Sequence, residues 1–339
     1  MTRMITRRQF NKTLLATGVA SSALGWVGST IGLDEPVQTI PEELFTLGVS
    51  SWCFHMPIWR GQMKPIEIPA LVSVMGVEAL EWTAKTFHDL KAGPESMYRV
   101  PQPAFFQALR RCTDEVGMCN RVMNVGGPFY LAGTDKKSRQ KALDFFLQYV
   151  EPAQTLGCDI LRAELYFDGA RQPGWEQEAH NRAIEGVHAL LEQTEGSGLT
   201  INVENHHGIS SFPQWLADLA RDINNPRFGL TVDTNNFRID QDMPYKPDPG
   251  AIPRYVDRYE GLEVLMPYAN WVSAKTYAFD GSGYELGLDY PRIIDIILKS
   301  GFRGCVSIEY EGEGEPIEGV RKSVEMFKRL REYFSQDSI

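Results

Sequence analysis

The chain is poor in cysteine, in positive charge and in long apolar runs. Five cysteines in 339 residues are too few for a disulfide scaffold, and they show no metal-binding spacing; Cys112 and Cys119 are close enough in sequence to be a candidate pair. Lys and Arg number 34 against 44 Asp and Glu, a net charge of −10. The first 33 residues hold four of those bases and no acid, so the remainder carries 30 bases against 44 acids, or −14. A surface so acidic disfavours nonspecific binding to nucleic acid or anionic lipid. There is no linker, low-complexity stretch or sign of a second domain. What remains, 43% hydrophobic and 23% charged, is an ordinary globular composition, long enough for two small domains or one large α/β barrel.

The longest weakly apolar run, Leu14 to Val27, follows Thr6-Arg7-Arg8-Gln9-Phe10-Asn11-Lys12. It is too short, and too rich in Gly, Ser and Thr, for a comfortable membrane span. Adjacent arginines ahead of such a run resemble a twin-arginine (Tat) signal. Residues 1–33 are therefore expected to direct export to the periplasm. Cleavage is expected near residues 28–35, with an uncleaved signal anchor as the alternative and the only expected membrane attachment.

Beyond residue 42, strand-like runs alternate with helical patterns. The strands are expected at Thr46–Trp52, Val77–Trp82, Met118–Val125, Asp159–Leu165, Leu199–Glu204, Arg227–Asp233, Asn270–Lys275 and Gly304–Tyr310. Helices are expected between them, most clearly at 103–116, 136–156 and 175–196, and also at 66–75, 212–223, 255–268, 291–300 and 317–334. Gly157, Gly198 and Gly301 stand where glycines end helices. Eight β/α units over residues 42–335 point to a single-domain (β/α)₈ TIM barrel. A doubly wound sheet is the alternative, but no G-x-G-x-x-G follows the first strand.

Alternation assigns the two faces of each strand. Ile201 and Val203, Leu230 and Val232, Val272 and Ala274, and Val306 and Ile308 form apolar series that must pack on helices. The opposite parity then points into the barrel and ends in Glu204 and His206, Asp233, Ser273 and Lys275, and Glu309 and Glu311. Arg162 and Glu164 end the fourth strand in the same way, Asn124 the third and Glu81 the second. These are C-terminal strand ends, where barrel enzymes place their chemistry. Glu204, Asp233 and Glu309 thus converge from three strands. Clustered carboxylates require a cation or a raised pKa. An oxygen-rich set favours Mn²⁺ or Mg²⁺ over Zn²⁺. The bland alternative is that each acid caps a helix or pairs with Lys or Arg.

Val203-Glu204-Asn205-His206, Val232-Asp233-Thr234 and Ser307-Ile308-Glu309-Tyr310-Glu311-Gly312 resemble the sugar phosphate isomerase/epimerase family with the xylose isomerase-like barrel. The stretches Tyr259-Glu260-Gly261, Leu265-Met266-Pro267-Tyr268 and Val272-Ser273-Ala274-Lys275 resemble a branch of it. The resemblance covers about residues 45–335. It implies one divalent metal held by Glu204, Asp233 and Glu309, with the two glutamates also moving protons. The family's seventh-strand His falls at Ser273, and a His often found three residues after the Asp falls at Asn236. His206 shares inward parity with Glu204 and is the candidate fourth ligand. Lys275 is a candidate electrophile, or else a salt-bridge partner of Asp233 or Glu309.

The expected activity is isomerisation, epimerisation or elimination on a keto sugar or 3-keto glycoside. Glu204 is the expected base, the metal with Lys275 the electrophile, and Glu309 the acid on the far side. Arg162, Glu164, Asn124, His55 and Trp271 are the candidate substrate contacts. Trp52, Trp82 and Trp271 are each suited either to stacking on a sugar or to filling the barrel top. With no phosphate-cradling glycine loop, the expected substrate is unphosphorylated. A noncatalytic sugar-binding barrel with a degraded metal site is the alternative. An endonuclease of this superfamily would need several metal-binding histidines, and only six are present. No nucleic-acid partner is expected; a homo-oligomer is left open.

Overall fold

The computed structural model describes residues 44–127, 130–165, 173–206, 208–239 and 254–336. They belong to one compact unit spanning residues 43–339. The arginine pair and apolar run of the expected signal lie outside the described residues.

Eight parallel strands close into a barrel in sequence order. They are β1 (Thr46–Ser50), β2 (Ala79–Thr83), β3 (Cys119–Val125), β4 (Ile160–Ala163), β5 (Thr200–Glu204), β6 (Phe228–Asp233), β7 (Ala269–Thr276) and β8 (Cys305–Tyr310). β8 returns to pair with β1, Leu47 opposite Val306. Among the described residues the α-helices are α1 (His55–Trp59), α2 (Ile68–Ser73), α3 (Pro103–Glu115), α4 (Lys136–Leu147), α5 (Val150–Leu156), α6 (Trp175–Gln193), α7 (Pro213–Ile223), α8 (Arg258–Leu265), α9 (Tyr290–Lys299) and α10 (Pro316–Gln336).

Every expected strand is present, its ends shifted by at most two residues. The helix expected over 136–156 is broken into α4 and α5, because Pro152 has no N–H to donate to the carbonyl of residue 148. The segment 66–75 is a 3₁₀ turn at Pro65–Glu67 followed by α2. A 3₁₀ turn at Ser51–Phe54 and the short α1 follow β1; neither was expected. Gly157 ends α5 with φ +79°, the left-handed conformation its position requires. All five cysteines are free, Cys112 and Cys119 included.

The two strand faces separate as the alternation predicts. Ile201, Val203, Leu230, Val232, Val272, Ala274, Val306 and Ile308 are buried in the large cluster between strands and helices. A small second cluster of Ala79, Val122, Ile160, Trp271 and Cys305 fills the barrel interior. At the base, Asn202 donates to Thr231 and accepts from Asn270, each at 3.2 Å. Strand pairing then sets the height of each polar group at the mouth. Asp233 lies opposite Ser273, Ser273 opposite Ser307 and Lys275 opposite Glu309.

Candidate active site

The inward series of seven strands supply the mouth, and two cations organise it. On one side the Arg162 guanidinium donates to Asn124 Oδ1 and to Glu164 Oε1, the latter at 2.9 Å. Its Nε lies 2.7 Å from Glu204 Oε2. Glu164 Oε2 is 3.1 Å from His206 Nδ1. The other oxygen of Glu204 accepts from the Asn236 amide at 2.9 Å.

On the other side the Lys275 ammonium lies 3.0 Å from Glu309 Oε2, 2.9 Å from Glu311 Oε2 and 3.6 Å from Asp233 Oδ2. Ser273 donates its hydroxyl to Glu309 Oε2 at 2.8 Å. Asp233 Oδ1 caps the turn after β6 by accepting from the backbone N–H groups of Asn235 and Asn236. Asp233 Oδ2 and Ser307 Oγ are buried with no hydrogen-bond partner among the described residues. Glu311 continues outward, accepting from the Trp52 indole at 2.7 Å. The His55 ring stacks on Trp52 at 4.1 Å.

Glu81, Glu164, Glu204 and Asp233 are buried, and Lys275 and Arg162 are buried with them. Burial raises a carboxyl pKa and a nearby cation lowers it, and the balance differs from residue to residue. Burial pushes Glu204 well above the ordinary carboxylate range, although Arg162 opposes it. Burial likewise raises Asp233, to about 7, against the pull of Lys275. Glu81 is also raised, by burial and by the nearby Glu309. At Glu309 burial is outweighed by the Lys275 ammonium and the Ser273 hydroxyl, which hold the group below its ordinary value. Glu164 is held low against burial by Arg162 and His206. Lys275 is held firmly protonated: burial works against the charge, but Glu309, Asp233 and Glu311 more than compensate.

The sequence-predicted residues Glu204, Asp233, Lys275, Glu309, Arg162, Glu164 and Asn124 meet at this mouth. His206 is there too, its Nδ1 3.1 Å from Glu164 Oε2. Among the described residues, no three His, Cys, Asp or Glu side chains are disposed to hold one ion. The set does not fit a divalent metal, because the Lys275 ammonium stands among the carboxylates of Asp233, Glu309 and Glu311. His55 stacks on Trp52, whose indole donates to Glu311. Trp271 is 1% exposed and lies inside the barrel. Its indole donates to Glu81 Oε2 at 2.8 Å, holding the carboxyl that also accepts from Asn124 at 3.0 Å. Trp82 packs on the outer face, its indole on Asn120. Asn236 and the hydroxyl of Ser273 escaped the sequence reading as functional groups. Their only signal was that they stand where the resembled family has histidine.

The family model for the xylose isomerase-like TIM barrel matches residues 69–330. Solved structures agree in fold. A D-tagatose 3-epimerase-like protein is 15% identical with a TM-score of 0.63, covering 87% of this chain and 100% of its own. The 3-keto-D-glucoside 4-epimerase from E. coli is 11% identical with a TM-score of 0.59, covering 84% of this chain and 99% of its own. Among curated proteins, the C-glycoside deglycosidase alpha subunit of Arthrobacter globiformis is 32% identical over 125 residues. That match spans only 35% of either chain. A closed eight-stranded barrel, acids at its strand ends and a family model covering most of the chain lead to one assignment: this protein belongs to the xylose isomerase-like TIM barrel family.

Proposed function

We propose that this barrel is a sugar-modifying enzyme that abstracts a proton next to the carbonyl of an unphosphorylated keto sugar. The observation that carries this reading is the opposed environment of two glutamates. Lys275 and Ser273 lower the pKa of Glu309, whereas burial raises that of Glu204 against the pull of Arg162. Groups of one kind pushed to opposite protonation states make an acid/base pair. The sequence assignment is thereby reversed: Glu309 is the base and Glu204 the acid. Glu309 takes the proton, the C–H electron pair becomes the new C=C bond, and the carbonyl π pair moves to oxygen. Glu204 then delivers its proton to carbon, giving an epimer or isomer, or to a departing β-substituent, giving elimination. Arg162, Glu164 and Asn124 present donors and acceptors to sugar hydroxyls. The expected Mn²⁺ or Mg²⁺ has no step in this scheme.

Epimerase neighbours favour the first outcome, and the partial similarity to a deglycosidase subunit favours elimination. Deuterium wash-in watched by proton NMR, over a panel of keto sugars and 3-keto glycosides, tests the reading. Glu309→Gln is expected to abolish exchange. Glu204→Gln is expected to keep exchange but lose turnover on the order of 10²–10⁴-fold. Exchange that survives Glu309→Gln sinks the assignment. The N-terminal residues 1–33 are proposed, on their sequence alone, to export the folded enzyme by the twin-arginine route.

A further inference from the structure

The mouth of this barrel already contains the positive charge that a metal would bring. Of the four residues expected to ligate an ion, Asp233 and Glu309 surround the Lys275 ammonium and Glu204 lies against Arg162. The fourth, His206, faces Glu164. Ser273 and Asn236, at the two positions where the resembled family has histidine, spend their side chains on Glu309 and Glu204.

We propose that this barrel works without a divalent ion, and that Lys275 is the electrophile at the oxygen where negative charge develops. The inference rests on the proton-abstraction reading above. An ammonium has three N–H donors. Glu309 and Glu311 accept two of them. Asp233 Oδ2, at 3.6 Å, lies beyond hydrogen-bond distance, so among the described residues the third N–H has no acceptor, and we assign it to a substrate oxygen. A preformed donor aimed at developing charge in a water-poor site needs no reorganisation as the reaction proceeds. Lys275 keeps its proton throughout and only donates a hydrogen bond; three acidic neighbours exclude the neutral amine that imine formation would need. The strand register fixes this arrangement, since Lys275 and Glu309 are paired across β7 and β8. An ion bound to Asp233 Oδ2 and Glu309 Oε2 would meet the ammonium that stands 3.6 and 3.0 Å from those oxygens.

The test uses the full chain, dialysed against EDTA and then given Mn²⁺ or Mg²⁺ alone. Metal content well below one ion per chain is expected, with a thermal midpoint that millimolar Mn²⁺ does not move. Lys275→Met, which removes the internal counter-charge, is expected to gain a Mn²⁺-dependent rise in midpoint. If Lys275→Met does not fold, Lys275→Gln serves in its place. Stoichiometric metal that survives dialysis of the wild type overturns the proposal. So does a wild-type Mn²⁺ stabilisation equal to that of the variant. For the chemistry, deuterium exchange is expected to be unchanged by EDTA and lowered on the order of 10²–10³-fold in Lys275→Met. Exchange lost with EDTA and restored by Mn²⁺ also overturns it. A wild type that exchanges no keto sugar refutes the reaction reading instead, because metal content and thermal shift are read without substrate.

Discussion

Glu204 and Glu309 bring the same side chain into one mouth and shift in opposite directions, because burial outweighs Arg162 at the first and Lys275 and Ser273 outweigh burial at the second. This asymmetry sets the expected pH profile. The base must be ionised, so turnover falls as pH drops through the lowered Glu309 value, below the ordinary glutamate range. The acid must be protonated, so turnover falls again as pH rises through the raised Glu204 value. A bell-shaped kcat profile is expected, and Glu204→Gln should remove its alkaline limb from whatever turnover remains. A variant that keeps that limb would assign it to another group, with Asp233 next in line. The identities of these residues were readable from strand parity. Their protonation states were not, because those depend on Arg162, Ser273 and Lys275, which come from other strands.

At the scale of the strand, the barrel interior is a packing problem solved by pairing small residues with large ones. A Cβ on Gly48 would lie 2.7 Å from Cys305 Sγ on the neighbouring strand, closer than atoms pack. Gly48→Ala is therefore expected to cost about 1–3 kcal/mol in urea unfolding, as overpacking does. Adding Cys305→Ala removes the clashing sulfur and should recover on the order of 1 kcal/mol of that loss. Additive costs in the double variant would show that the strain lies elsewhere. Trp271 belongs to the same interior layer. Alternation placed it facing inward, but not at which height; its position below the mouth follows from its register opposite Thr231. Where a helix broke against expectation, at Pro152, a single residue's missing N–H was sufficient.

For the whole molecule, the site's electrostatics appear in stability. A carboxyl whose folded pKa is raised stabilises the fold fully below its unfolded value and loses that contribution as pH rises through the folded one. For Asp233, raised to about 7, the window runs from about pH 4 up to that value. Glu204 acts in the same direction. Glu164, lowered, acts in the opposite direction: its contribution is present above its ordinary value and lost as pH falls through the lowered one. Wild-type thermal stability is expected to carry a component that declines between about pH 4 and 7. Asp233→Asn should flatten it by an amount on the order of a few kcal/mol. Asn keeps the acceptor for the Asn235 and Asn236 N–H groups and removes the titration. An unchanged slope would mean Asp233 stays ionised through this range. No helix among the described residues is long and apolar enough to cross a membrane. At the N-terminus, fusing residues 1–40 to a folded reporter should export it. Arg7→Lys with Arg8→Lys should abolish that export; unchanged export would refute the twin-arginine reading.

The sequence by itself determined the barrel, because eight alternating strand patterns separated by helices can bury their apolar faces in few other ways. It also determined which acids reach the mouth, because side-chain direction has a period of two along a strand. Tertiary structure decided what those acids do. Whether Glu204 meets Arg162, whether His206 turns to Glu164, and whether Lys275 sits among Asp233, Glu309 and Glu311 all depend on register and side-chain conformation across neighbouring strands. Charge–charge energies vary steeply with those distances and with burial, and neither quantity is written in the order of residues along one strand.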